Sequence, residues 1–175
     1  DGKPARNVAV ANEQLRLFNM LNLLTSKPIL YVCNVGENDA GTGNTYTDLV
    51  SKHAVGNGAG YIIISAKIES EVSQIVNAEE KKEFFESLGL EEAGLSKLIR
   101  SGYELLGLIT YFTAGPKETR AWTIGADTKA PKAAGVIHTD FENGFICAET
   151  ISFDDFVSLG GEINCKESGK MRQEG

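Results

Sequence analysis

Hydrophobic positions follow a helical period or form short unbroken runs up to about residue 106, and shorter, β-rich segments follow. In residues 7–24, Val8, Leu15, Phe18, Leu21 and Leu24 recur at helical spacing and predict an amphipathic helix, which Lys27-Pro28 breaks. Ile29-Leu30-Tyr31-Val32-Cys33 is a near-continuous apolar run, the pattern of a strand buried on both faces of a parallel sheet. It ends abruptly at Asn34-Val35-Gly36-Glu37. Residues 38–44 read as loop, 46–54 as a helix closed by Gly56-Asn57-Gly58, and Tyr61-Ile62-Ile63-Ile64 as a second buried strand ending at Ser65-Ala66-Lys67. Strand, helix and strand in that order make one βαβ unit, so the two strands are expected parallel and adjacent or near-adjacent.

Two further helices are predicted over 79–88, stopped by Gly89, and over 90–106, with Leu95, Leu98, Ile99 and Leu105 on one stripe. Beyond Gly107 the texture changes. Residues 108–113 and 120–124 are β-rich and flank Ala114-Gly115-Pro116-Lys117-Glu118, a turn composition that predicts a hairpin. A short helix over 131–137, a strand over 145–151 and a short helical or extended segment over 154–159 follow. Residues 160–175 are polar and weakly patterned. The expected domain boundary lies near residue 106, where α/β texture gives way to β-grasp-like α+β texture.

Composition narrows the function. Hydrophobic residues are 42% and charged residues 23%, a balance that folds. A net charge of −7 argues against a broad electrostatic grip on nucleic acid, and DNA is not an expected partner. No apolar run approaches the roughly 20 residues that span a bilayer. The start at Asp1 carries no signal-peptide core and suggests a chain cut from something longer. Cys33, Cys147 and Cys165 are odd in number and widely spaced, and the first two fall in apolar runs, so buried thiols in a reducing cytoplasm are expected. No CxxC or His/Cys cluster is present, so no zinc site is expected.

In open parallel sheets ligands bind beyond the carboxyl ends of the strands. Both polar tips, Asn34–Glu37 and Ser65–Ile68, sit at such ends. The Asn34 amide can donate to and accept from a purine edge, and Ser65 with the backbone amides of Ala66 and Lys67 can bond a ring's exocyclic group. A turn-forming role is the alternative for each. His138 beside Asp140 has no nucleophile or metal partner in view, so capping or packing is expected and no catalytic residue is assigned. Tyr111, Phe112, Trp122 and Phe145 could stack on RNA bases, but their spacing within strands favours core packing.

Asn34-Val35-Gly36-Glu37, followed about thirty residues later by Ser65-Ala66-Lys67, resembles the base-recognition pair of P-loop GTPases, Asn-Lys-x-Asp and Ser-Ala-Lys. Its departures resemble the Obg-like ATPase (YchF) branch of that class, in which an apolar residue replaces the Lys and Glu replaces the Asp. The runs Leu108–Gly115, Arg120–Ile124 and His138–Phe145 resemble the start of that family's TGS domain. The resemblance implies the parallel-sheet α/β part of a P-loop NTPase domain over 1–106, followed by an α+β, β-grasp TGS domain over 107–175 that lacks its final strands. It implies an ATP- or GTP-hydrolysing protein using Mg2+, cytoplasmic and associated with the ribosome or ribosomal RNA. Asn34, Val35, Glu37, Ser65, Ala66 and Lys67 would contact the base. The usual Asp accepts two hydrogen bonds from guanine, a donor pair that adenine lacks. Glu37 is one methylene longer and Val35 offers no ammonium, so guanine preference should weaken, and the resemblance implies that ATP is accepted, often preferentially. No GxxxxGK(S/T) occurs, so the phosphate and metal ligands are expected outside this chain, which by itself should not hydrolyse nucleotide. The competing reading is a TGS-type interaction module that binds ribosome, RNA or protein without catalysis.

Overall fold

A computed structural model describes residues 2–115 and 117–175. The chain divides into two compact units, the first running to Gly107 and the second spanning Leu108–Gly175.

The first unit opens with short 3-10 turns around one short helix, α1 (Leu15–Met20), which the turn Asn12–Gln14 leads into directly. The helix expected over 7–24 is thus mostly absent. Val8, Leu15, Leu21 and Leu24 are exposed, so the apolar stripe finds little to pack on, and Asn22 adopts a left-handed conformation that stops propagation. Short helices without a buried face are marginal in water.

β1 (Leu30–Asn34), α2 (Thr45–Gly56) and β2 (Gly60–Ile64) form the βαβ unit, with the strands parallel and in register from Leu30 opposite Gly60 to Asn34 opposite Ile64. Asn44 starts α2 with a capping box: its side chain accepts from the Tyr46 and Thr47 amides while Thr47 Oγ1 accepts from the Asn44 amide. Gly43 precedes it at φ 75°, where a Cβ would lie 2.4 Å from Thr47 Oγ1, so only glycine fits there without displacing the cap. Thr47 and Ala54 are the buried residues of α2, and Ala54 is wholly inaccessible. The strands are less enclosed than expected. Val32 and Tyr61 are exposed, because each strand has one neighbour among the described residues and helices cover only part of the sheet.

α3 (Ala66–Val72), α4 (Ala78–Ser87) and α5 (Gly94–Leu106) complete the unit. α3 was not expected as a helix. Its Ile68 and Val72, four apart on one face, are buried, which anchors it directly after β2. α5 begins four residues later than expected, and only the Leu98 and Leu105 positions of its stripe are half-buried, while Leu95 and Ile99 stay exposed. It packs on β2, β1 and α3 and ends at Gly107, at φ 60°.

In the second unit β3 (Leu108–Ala114) and β4 (Thr119–Gly125) form the expected antiparallel hairpin. The Gly115 amide donates to the Glu118 carbonyl at 3.0 Å, and Pro116 of the expected turn lies outside the described residues. Tyr111 pairs with Trp122 across the ladder, and its hydroxyl donates to the Ala133 carbonyl of α6 (Ala130–Ile137) at 2.8 Å. Trp122 Nε1 donates to Thr113 Oγ1, and the Arg120 guanidinium lies 4.1 Å over the indole. Phe112 is exposed, yet its ring sits 5.6 Å from that of Phe153; Phe145 is half-buried.

α7 (Thr139–Asn143) follows, then β5 (Ala148–Thr150), α8 (Phe153–Leu159), α9 (Glu162–Glu167) and β6 (Arg172–Glu174), which pairs antiparallel with β5. The strand expected over 145–151 is therefore three residues long, and Cys147, expected buried, lies just outside it and is exposed. Cys33 is half-buried and Cys165 buried, and all three thiols are free. Residues 160–175, weakly patterned in sequence, hold both α9 and β6. Gly160 and Gly161, at φ 77° and 124°, let the chain turn from α8 into α9, which is pinned by the fully buried Cys165. Among the described residues no helix is long and apolar enough to cross a membrane.

Candidate functional site

The parallel register brings Asn34 opposite Ile64, so the segments after β1 and β2 leave the sheet at the same edge. The Val35 amide donates to the Ile64 carbonyl at 2.9 Å and extends the ladder one step past β1. Beyond it the two tips are joined by side chains. The Ala66 amide donates to Asn34 Oδ1 at 3.0 Å. This bond fixes which way the Asn34 carboxamide points: its oxygen is held toward the head of α3 and its nitrogen is left as the donor.

Glu37 lies in a 3-10 turn (Glu37–Asp39) and accepts from Lys67 Nζ at 2.8 Å through Oε2. Glu71 Oε1 stands 3.9 Å from the same ammonium, one helical turn along α3. The hydrogen bond to Glu37, and then that carboxylate's charge, raise the Lys67 pKa above its ordinary value. Both side chains remain partly in water, so the pair orients more than it stabilises.

Five of the six expected site residues, Asn34, Val35, Glu37, Ala66 and Lys67, thus meet at one edge. Ser65 is placed differently. It is 3% exposed, its Oγ has no hydrogen-bond partner, and it lines a cleft of about 240 Å³ with Ala40, Gly41, Ile68, Glu69 and Lys97. Glu69 is a residue the sequence reading missed. Its carboxylate accepts from the Gly94 amide at 2.6 Å and the Leu95 amide at 3.2 Å, so the positive end of α5 is capped by α3. A Cβ on Gly94 would sit 3.0 Å from both Glu69 Oε1 and Ile64 Cγ2, which keeps that approach open only to glycine or a shifted neighbour. A Glu and a Gly twenty-five positions apart carry no local signal of this contact.

Elsewhere, His138 Nδ1 accepts from the Asp140 amide at 3.2 Å, which makes it the N-cap of α7. Among the described residues no group of three or more His, Cys, Asp or Glu side chains is placed to hold a metal.

The family model YchF-GTPase_C, "Protein of unknown function (DUF933)", matches residues 108–175, which is the whole second unit. The chain is 50% identical over 175 residues to the Ribosome-binding ATPase YchF of Bacillus subtilis, covering 99% of this chain and 48% of that protein. It is 42% identical to Obg-like ATPase 1 of Xenopus laevis over 94% of this chain and 42% of the relative. The chain belongs to the YchF and Obg-like ATPase family. Its fold agrees: the Schizosaccharomyces pombe YchF GTPase superposes with a TM-score of 0.84 at 36% identity, over 99% of this chain and 46% of that structure. The chain therefore spans about half the length of the relatives it matches.

Proposed function

We propose that the edge formed by Asn34, Val35, Glu37, Ala66 and Lys67, with the buried Ser65 behind it and not in contact, reads the base of a nucleoside triphosphate in a full-length ATP- or GTP-hydrolysing protein. The observation that carries the reading is the 3.0 Å bond from the Ala66 amide to Asn34 Oδ1, which ties the two tips and presents the Asn34 nitrogen as a donor. A purine's N7 is an acceptor, the complement of that donor. In this reading residues 1–106 belong to the nucleotide-binding domain and 107–175 to a TGS domain.

The donor set suits a base and not a triphosphate. Amide, carboxylate and partnered ammonium at this edge can orient a purine, whereas Mg2+ would supply charge neutralisation on the phosphates, held by residues of the other half of the protein. This chain's share of the work is to bind and orient the base. Relatives named as ribosome-binding ATPases support a cytoplasmic, ribosome-associated role, with residues 107–175 as the contacting part. The same unit, matched by a family model of its own, also suits a second reading as an interaction module without chemistry.

The test is specificity in the full-length protein. Glu37→Asp combined with Val35→Lys restores the carboxylate and ammonium that favour guanine, and the GTP:ATP affinity ratio measured by calorimetry should rise roughly tenfold. An unchanged ratio would place base recognition away from this edge.

A further inference from the structure

We propose that Glu69 is a positioning residue for the base-reading edge: it fastens the first turn of α3, which carries Ala66 and Lys67, to the head of α5. The inference rests on the function proposed above and goes beyond it, because Glu69 belongs to neither tip and touches no base.

The need for such a fastening follows from how α3 begins. Ser65 occupies the N-cap position, where a serine hydroxyl ordinarily accepts from an amide of the first turn. Its side chain caps nothing, and the buried Oγ has no partner. α3 is also only seven residues long, too short to hold its own shape in water. Burial of Ile68 and Val72 holds one face of it against the unit. Apolar burial is non-directional, however, and does not set where the head amides point.

Glu69 supplies the direction. Its backbone amide donates to the Ser65 carbonyl at 3.1 Å, while its Oε1 accepts from the Gly94 amide at 2.6 Å and its Oε2 from the Leu95 amide at 3.2 Å. One residue thus grips the second tip with its main chain and α5 with its side chain. The two amides are among the first of α5 and have no acceptor within their own helix, and the carboxylate lies at that helix's positive end. α5 is thirteen residues long and packs on β1 and β2 as well as on α3, so it is a firm support. The fit is close: a Cβ on Gly94 would stand 3.0 Å from Glu69 Oε1 and from Cγ2 of Ile64, the residue before Ser65. Releasing Glu69 therefore frees Ala66, whose amide holds Asn34 Oδ1 at 3.0 Å, and loosens both tips together.

The experiment follows ATP hydrolysis by the full-length protein over a range of ATP concentrations for the wild type, Glu69→Gln, Glu69→Ala, Gly94→Ala and Asn34→Ala, with urea midpoints measured alongside. A loosened tip binds the base less well in ground state and transition state alike, so KM should rise while kcat holds. Glu69→Ala should raise KM roughly fivefold, the equivalent of about one net hydrogen bond. Glu69→Gln keeps one acceptor for the α5 amides and should raise KM about twofold. Gly94→Ala strengthens the helix propensity of α5 yet pushes on the same contact, so a rise in KM there is not the result of lost stability. Where Glu69→Ala does not fold, Glu69→Gln and Gly94→Ala decide. If Asn34→Ala raises KM while the Glu69 and Gly94 variants leave it unchanged, or lower only the apparent kcat together with the urea midpoint, the positioning role is overturned and the base-reading edge stands. If Asn34→Ala leaves KM unchanged, the edge itself is wrong and the Glu69 role falls with it.

Discussion

β1 and β2 are two strands joined by a helix; β3 and β4 are two strands joined by a turn. In the hairpin every cross-strand partner is close in sequence, and the polar contacts are closed within the unit: Trp122 to Thr113, Tyr111 to the Ala133 carbonyl. In the parallel pair both chain segments leave the sheet at the same end, and groups 30 and 32 positions apart, Lys67 with Glu37 and Ala66 with Asn34, meet there in water. A hairpin spends its tips on a turn. A parallel pair leaves two tips side by side with no turn joining them, which is why the candidate site belongs to the first unit and not to the second.

The contrast can be broken most forcefully at Ile68, the 1%-exposed residue that anchors α3 behind the second tip. Ile68→Ala should lower the unfolding free energy by about 2–5 kcal/mol in urea titrations followed by circular dichroism. A loss below about 1 kcal/mol would mean that α3 is held by something other than its buried face. Asn44→Ala removes the acceptor for the Tyr46 and Thr47 amides and the 2.7 Å bond to Asp39, so the crossover helix loses its cap. The expected cost is about 1 kcal/mol, read as a fall in the urea midpoint with unchanged slope.

The smallest effect is expected in the hairpin unit. Tyr111→Phe deletes the 2.8 Å bond to Ala133 and should cost about 0.5–1.5 kcal/mol, visible in the fluorescence of the single tryptophan, Trp122. Burial raises the Tyr111 pKa, so the folded state favours the neutral phenol. Its contribution is fully present below the ordinary tyrosine value near 10 and is lost as pH rises through the higher folded value. Tyr111→Phe should flatten that alkaline decline; an unchanged decline would assign it to other groups.

Much of the fold was legible because it rests on local signals. The apolar runs 29–33 and 61–64, the punctuation at Gly56–Gly58 and the turn composition after Ala114 each mark an element whose residues carry their own pattern. Three stretches were not. The expected helix over 7–24 had the right period but no surface to bury it. α3 was hidden because seven residues beginning at a polar tip are too few to show a period, and only the burial of Ile68 and Val72 makes them a helix. Residues 160–175 hold α9 and β6, too short for periodicity, and β6 is a strand only because β5, more than twenty residues earlier, supplies its ladder.

The amino-acid order by itself determined the element types wherever apolar period and turn chemistry agreed, and it determined that two polar tips follow two buried strands. It also carried the family resemblance, since Asn34–Glu37 and Ser65–Lys67 are contiguous motifs. Tertiary structure alone decided which groups at those tips are committed: Asn34 Oδ1 to the Ala66 amide, Glu37 Oε2 to Lys67, Glu69 to the head of α5, and the Ser65 hydroxyl to the interior. Hydrogen bonds between segments some thirty residues apart depend on register and on the path of the crossover helix, and neither leaves a periodic trace in the chain.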